Sequence, residues 1–198
     1  MSLFLKETSF GESSCLGSIF KCYLFPISSI AEFNEAIEKI KKENHKARHI
    51  PYSYILKESG KCSDDGEPSL SAGKPTLDFL NSKSLKDCAC VIARYYGGKD
   101  LGVGRLRNYF LYSLEDAFNK AKFIEKKLFY FLKISTDYET YSIISRLAKS
   151  SKFLIKNQDY SFDVTFSLYG EKEEINDFLL LNRFKFKKIK EGEEYIEI

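Results

Sequence analysis

The sequence predicts an α+β protein of two domains, residues 1–126 and 127–198. Three observations lead there. Segments rich in aromatic and β-branched residues alternate with segments whose apolar residues recur at helical spacing. The pattern changes near residues 123–128 without a long linker. From residue 127 the order reads strand, helix, strand, strand, helix, strand.

In the first half, SIFKCYLFPI (18–27) reads as a strand. Ser28 or Ser29 then caps a helix over AEFNEAIEKIKKENHK, with Ile30, Phe33, Ile37 and Ile40 on one face. HIPYSYILKE (49–58) reads as a second strand, with Pro51 near its start, where a missing donor is tolerated. A glycine- and acid-rich loop follows from Gly60 to Gly73. Lys74 to Lys83 is expected to be a helix with Pro75 in its first turn. DCACVIARYY (87–96) is a mostly apolar strand that runs into the loop GGKDLGVG. From Arg105 to Lys122, Leu106, Tyr109, Phe110, Leu114 and Phe118 form a helical stripe.

The second half offers KLFYFLKIS, YETYSIISRLAKS, SKFLIK, YSFDVTFSLYG, EKEEINDFLLLN and FKFKKIKEGEEYIEI. Their βαββαβ order is that of a ferredoxin-like domain, with two helices on one face of an antiparallel sheet.

Composition sets broad limits. The 198 residues are 43% hydrophobic and 30% charged, as in an ordinary globular protein, and the net charge is only +3. Residues 127–198 carry as many acids as bases, so the excess positive charge lies in the first half. Five cysteines with no CxxC pair read as buried free thiols of a reducing cytosol. The two histidines, His45 and His49, add no zinc-ligand spacing, and no metal or cofactor is expected. MSLFLKETSF lacks the apolar core of a signal peptide, and no window approaches the ~20 apolar residues of a membrane span. A cytoplasmic protein without membrane partners is expected.

Two stretches concentrate the chemistry. SDDGEPSLSAGKPTL (63–77) ends in GKPT, which mimics the lysine end of a phosphate loop. A Walker loop needs G-x-x-x-x-G-K-[ST]; here six residues separate Gly66 from Gly73, and Pro75 occupies the hydroxyl position after Lys74. Asp64, Asp65 and Glu67 are close enough in sequence to share a hard cation. D-D-G is also turn chemistry, in which aspartate bonds its own backbone and glycine takes positive φ. Glu67 can instead cap a helix or pair with a base from another loop. RYYGGKDLGVGRLRNY (94–109) follows a buried strand and opens a helix, where free amides favour an anion. Arg94, Lys99, Arg105 and Arg107 supply charge, while Tyr95 and Tyr96 offer faces for bases. Alternation at the strand end equally sends one of these tyrosines into the core. No serine or cysteine is placed by motif beside His49, so nucleophilic catalysis has no support.

Together the two stretches resemble the signatures D-D-G-E-P-x-x-T-A-G-x-P-x-L and R-Y-F-G-G-x-K-L-G-x-G-G-L-x-R-A-Y of the YigZ/Impact family. G-S-I-F and A-R-H upstream are similar to that family's S-x-F and A-x-H segments, so the resemblance covers residues 17–110. It implies a ribosomal protein S5 domain 2-like amino-terminal domain and a second domain similar to a terminal domain of elongation factor G. It also implies a role beside translation, since the eukaryotic branch is a translational regulator that binds a ribosome-associated activator. Glu67, Gly73, Arg94, Gly97, Gly98, Gly102 and Gly104 match the signatures directly. Ser71 replaces a threonine, Asp100 a lysine, Arg105 a glycine, Arg107 an aliphatic residue and Asn108 an arginine.

The expected function is thus translation-associated regulation through binding of RNA or the ribosome. Arg94, Tyr95, Tyr96, Gly97, Gly98, Lys99, Gly102, Gly104, Arg105 and Arg107 form the anion or nucleic-acid site. His49, Asp64, Asp65, Gly66, Glu67, Ser71, Gly73 and Lys74 form the cleft wall. The alternatives are a metal-dependent phosphoester or nucleotide hydrolase using the DDGEP carboxylates, and a protein-interaction module for a translation factor.

Overall fold

A computed structural model describes residues 1–197 and divides into two units, Met1–Glu125 and Lys126–Ile198. In chain order the elements are β1 (Ser2–Leu5), β2 (Ser9–Cys15), β3 (Ser18–Pro26), α1 (Ile30–Glu43), β4 (Tyr52–Leu56), β5 (Ser59–Ser63), α2 (Gly73–Ser82), β6 (Cys88–Tyr95) and α3 (Val103–Lys120). There follow β7 (Phe123–Thr136), α4 (Tyr138–Ala148), β8 (Leu154–Tyr160), β9 (Val164–Gly170), α5 (Lys172–Leu181) and β10 (Lys187–Glu197).

The first unit is organised by one antiparallel sheet in the order β2-β3-β6-β4-β5. Its centre, β6, is buried on both sides, and the period-2 rule divides its side chains. Cys88, Cys90 and Ile92 join α2 and α3 through Leu80, Leu106, Phe110 and Leu114. Ala89, Val91 and Ala93 join α1 through Phe33, Ile37 and Ile40. Helix α1 starts at the expected cap: the Ser29 hydroxyl accepts from the Glu32 amide, and the Glu32 carboxylate reaches back to Ser28.

Three expectations need correction, and one region holds strands that no expectation named. Ile30 lies outside the buried stripe and is exposed, because it occupies the first helical position, beyond the sheet. Two strands, β1 and β2, occupy the region before residue 17; β2 packs on α3, with the Ser9 hydroxyl donating to the Ala117 carbonyl. The loop from Gly60 begins as the edge strand β5, whose residues are largely exposed and so lack an apolar signal. All five cysteines are free, but only Cys22, Cys88 and Cys90 are buried; Cys15 is half-buried, and Cys62 is exposed on the edge strand.

The second unit has the expected βαββαβ order. Its strands lie β10-β7-β9-β8, all antiparallel, which is the ferredoxin-like arrangement. Leu132, Ile134, Phe166 and Leu168 of the sheet pack against Ile144 of α4 and Ile175 and Leu179 of α5. Strand β10 is interrupted by a register shift between Lys188 and Lys190. Among the described residues no helix is long and apolar enough to cross a membrane.

Candidate functional site

The DDGEP stretch folds into a turn because its residues bond their own surroundings. Asp64 and Glu67 close it through the Glu67 amide and the Asp64 carbonyl at 2.9 Å. Both central residues have positive φ, Asp65 at 47° and Gly66 at 86°, as a type I′ turn requires. The Asp64 carboxylate accepts from the amides of Leu70, Ala72 and Gly73 at 3.0, 3.0 and 2.7 Å. It therefore caps the start of α2 from nine residues upstream, where the local N-cap, Ala72, has no side chain able to do so. Asp65 accepts from the Ile50 amide at 2.7 Å and ties the turn to the segment before β4. That segment is held to β6 in turn, through Arg48 N–H to Arg94 C=O and Arg94 N–H to His49 C=O.

Glu67 points the other way. Its side chain is fully buried, and both oxygens accept from Nη1 of Arg94, at 2.8 and 2.6 Å. Arg94 continues the face of β6 that carries Cys88, Cys90 and Ile92, so the strand aims it between the two loops. Its Nε is buried with no hydrogen-bond partner among the described residues, as is the hydroxyl of Ser71. The His49 ring rests on Gly66, where an added Cβ would meet it at 2.9 Å.

The glycine loop builds the opposite wall. Gly97 lies so close to Gly17 that a Cβ would sit 2.0 Å from the Gly17 carbonyl carbon, and its amide donates to the Ser18 hydroxyl. Gly102 takes φ of 72° as the N-cap of α3, and no side chain caps that helix. The first helical bond runs from the Leu106 amide to Gly102, so the amides of Val103, Gly104 and Arg105 come before it. Nothing lies within 4 Å of where a Gly104 Cβ would be.

These walls enclose a cleft of about 370 Å³. Gly66, Glu67 and Pro68 line one side, Tyr96, Asp100, Gly102 and Val103 the other, with Arg94, Leu101 and Leu106 beneath and Arg48 and His49 alongside. The Arg48 guanidinium lies 4.7 Å from the centre of the Tyr96 ring, and that of Arg94 lies 5.6 Å away. The Tyr96 hydroxyl donates to Asp100.

Of the residues expected at the site, His49, Gly66, Glu67, Arg94, Tyr96 and Gly102 line the cleft. Asp64, Asp65, Ser71 and Gly73 stand behind it in the turn and at the head of α2, where a Gly73 Cβ would meet the Ser63 backbone at 2.7 Å. Gly104 follows the lining residue Val103 on α3, and Gly97 and Gly98 form the bend leading there. Tyr95 is on the other face of β6, where its hydroxyl donates to Asn44 and its ring packs against the α1 side of the core. Lys99, Arg105 and Arg107 are exposed and do not line the cleft, and exposed Lys74 pairs with Asp78 on α2. Arg48, Pro68, Asp100, Leu101, Val103 and Leu106 also line the cleft and were not among the residues expected there. For Arg48 the signal is its place beside His49 in the A-R-H segment.

The Asp64, Asp65 and Glu67 carboxylates thus meet three different sets of partners. Among the described residues no cluster of three His, Cys, Asp or Glu side chains is placed to hold a metal ion.

Comparison with known proteins agrees with this frame. The model of the Impact N-terminal domain matches residues 16–116, which contain both loops and Arg48. IMPACT family member YvyE of Bacillus subtilis (strain 168) is 37% identical over 177 residues, covering 88% of this chain and 82% of that protein. IMPACT family member YigZ of Escherichia coli (strain K12) is 36% identical over 75 residues, 35% of this chain and 37% of YigZ. A crystal structure of a hypothetical protein shares the fold, with a TM-score of 0.65 at 22% identity over 95% of this chain and 96% of that one. With its two motif loops, its amino-terminal match and a relative this similar over most of both chains, the protein belongs to the IMPACT family.

Proposed function

We propose that this protein is a translation-associated regulatory factor that binds RNA or the ribosome through the cleft of its first unit. One observation carries the reading: the two motif loops meet where α3 opens without a cap and Arg48 stacks on Tyr96. Free amides and the helix dipole attract phosphate. The guanidinium adds a permanent charge and a planar face, and an arginine-tyrosine pair beside a phosphate site suits a single strand of RNA. Arg94 contributes differently from an open phosphate ligand. Its charge is engaged by Glu67, and it sets the separation of the two loops. Membership in the IMPACT family supports the link to translation.

The hydrolase alternative asks Asp64, Asp65 and Glu67 to converge on a cation. Their oxygens are committed to the head of α2, to the Ile50 amide and to Arg94, which leaves that reading without a shared ligand set.

The test is co-sedimentation of the protein with ribosomes and anisotropy with labelled single-stranded RNA, at several salt concentrations. Arg48→Ala and Gly104→Glu should each weaken binding. The second places a carboxylate where the phosphate would sit, at a helix start that tolerates it. Binding unaffected by both variants, or by salt, defeats the proposal. Co-sedimentation that survives nuclease treatment of the ribosomes would point instead to a protein partner.

A further inference from the structure

The last turn of α1 and the loop that joins it to β4 carry Lys41, Lys42, His45, Lys46 and Arg48, all exposed, against a single acid, Glu43. Cations at a helix C-terminus are common, because the dipole favours them. This run has a second property: its backbone is pinned. Asn44, buried and closing α1, donates from its amide nitrogen to Tyr23 and to the Ile40 carbonyl, at 2.9 and 2.8 Å. Its oxygen accepts from Tyr95 at 2.7 Å. The Ala47 amide then bonds Asn44, and the Arg48 amide bonds Arg94 of β6. One polar residue and one strand therefore fix both ends of the loop that carries Lys46, and Lys41 and Lys42 are held by the helix itself.

Lys41 shares Glu38 at the surface, but among the described residues Lys42, Lys46 and Arg48 form no ion pair. Unpaired like charges on a fixed backbone repel one another and contribute nothing to the core. The run ends at Arg48, already stacked on Tyr96 in the cleft.

We infer that Lys41, Lys42 and Lys46 form a phosphate track that continues the cleft, so that a single-stranded RNA several nucleotides long lies across both. The inference rests on the cleft reading above and adds a path for the strand. RNA is favoured over an acidic protein because the track ends on a ring-and-guanidinium stack beside uncapped amides. Bases and phosphates use both features, while a carboxylate-rich chain uses only the charge.

The test measures the full chain against a labelled uridine trimer, long enough for the cleft alone, and a uridine 12-mer. The 12-mer should bind more tightly, and Lys41→Ala with Lys42→Ala and Lys46→Ala should remove that advantage while leaving the trimer unchanged. Each phosphate contact on a single strand contributes about 0.7 to the slope of log affinity against log salt, so the triple variant should lower the 12-mer slope by about 2. A 12-mer slope and affinity untouched by the triple variant overturn the track. The cleft is judged separately, by loss of trimer binding in Gly104→Glu. Absence of binding by either oligonucleotide at low salt overturns both, and equal binding of a glutamate 12-mer overturns the choice of RNA.

Discussion

A single nitrogen, Nη1 of Arg94, donates to both carboxylate oxygens of Glu67, and both side chains are withdrawn from water. The pair joins the two motif loops, so each loop's position depends on the other. Removing one partner leaves a buried charge without its counterion, which typically costs about 3–5 kcal/mol. Glu67→Ala and Arg94→Met should each lower stability by that order in urea unfolding. The double variant Glu67→Leu with Arg94→Met should recover most of the loss, since neither charge then has to be desolvated. Additive losses in the double variant would mean that the pair is not a coupled unit.

Asp64 should behave as a cap. Its carboxylate serves three amides at the head of α2, two of them at part-buried positions. Asp64→Ala leaves those donors unsatisfied and should cost about 1–3 kcal/mol. Hydrogen exchange at Ala72 and Gly73 should rise in the variant. Protection unchanged there, with the fold intact, would refute the capping role.

Much of this was legible from sequence, for identifiable reasons. Helices α1 and α3 announce themselves because Phe33, Ile37 and Ile40, and Leu106, Phe110 and Leu114, each mark one buried face. The aspartates of the DDGEP turn act locally, so their backbone role could be named, and Glu67 could be given a basic partner. Which base it would find depended on how β6 is placed against the turn, a tertiary fact with no local trace. Strand β5 was hidden because an exposed edge strand needs no apolar alternation. In β2, Gly11 takes an inward place because a Cβ there would strike the Ser113 carbonyl at 2.2 Å, which removes a side chain from the expected pattern. The role of Arg48 was not legible because only the folded chain brings it over Tyr96.

In the second unit, Tyr130 gives a pH signature. Its hydroxyl donates to Glu191 of β10 at 2.5 Å. Burial, and then that carboxylate, push its pKa from an ordinary 10 up to about 12. The folded state therefore holds the phenolic proton more tightly than the unfolded chain. Its contribution is fully present below pH 10 and is lost as pH rises towards 12. The stability gap between wild type and Tyr130→Phe should narrow over that window, as followed by urea midpoints. A phenolate absorbance step near pH 12 should vanish in the variant. A gap that stays constant from pH 9 to 12 would remove the assignment.

Two glycines of the second motif should respond oppositely to alanine. At Gly97 the added carbon would sit 2.0 Å from the Gly17 carbonyl carbon and 2.2 Å from the Ser18 nitrogen, both of them backbone atoms. Gly97→Ala must push two strand ends apart, and it should destabilise the first unit by an overpacking cost of about 1–3 kcal/mol. At Gly104 the carbon enters open space in the first turn of α3, and alanine is the better helix former by up to about 1 kcal/mol. Gly104→Ala should therefore raise the melting temperature. If the cleft binds phosphate through the backbone amides beside this residue, a methyl group that blocks no N–H should leave RNA affinity within about threefold, whereas Gly104→Glu reduces it far more. Equal losses in the two Gly104 variants would show that the open space itself, rather than the charge at the helix start, is what the ligand requires.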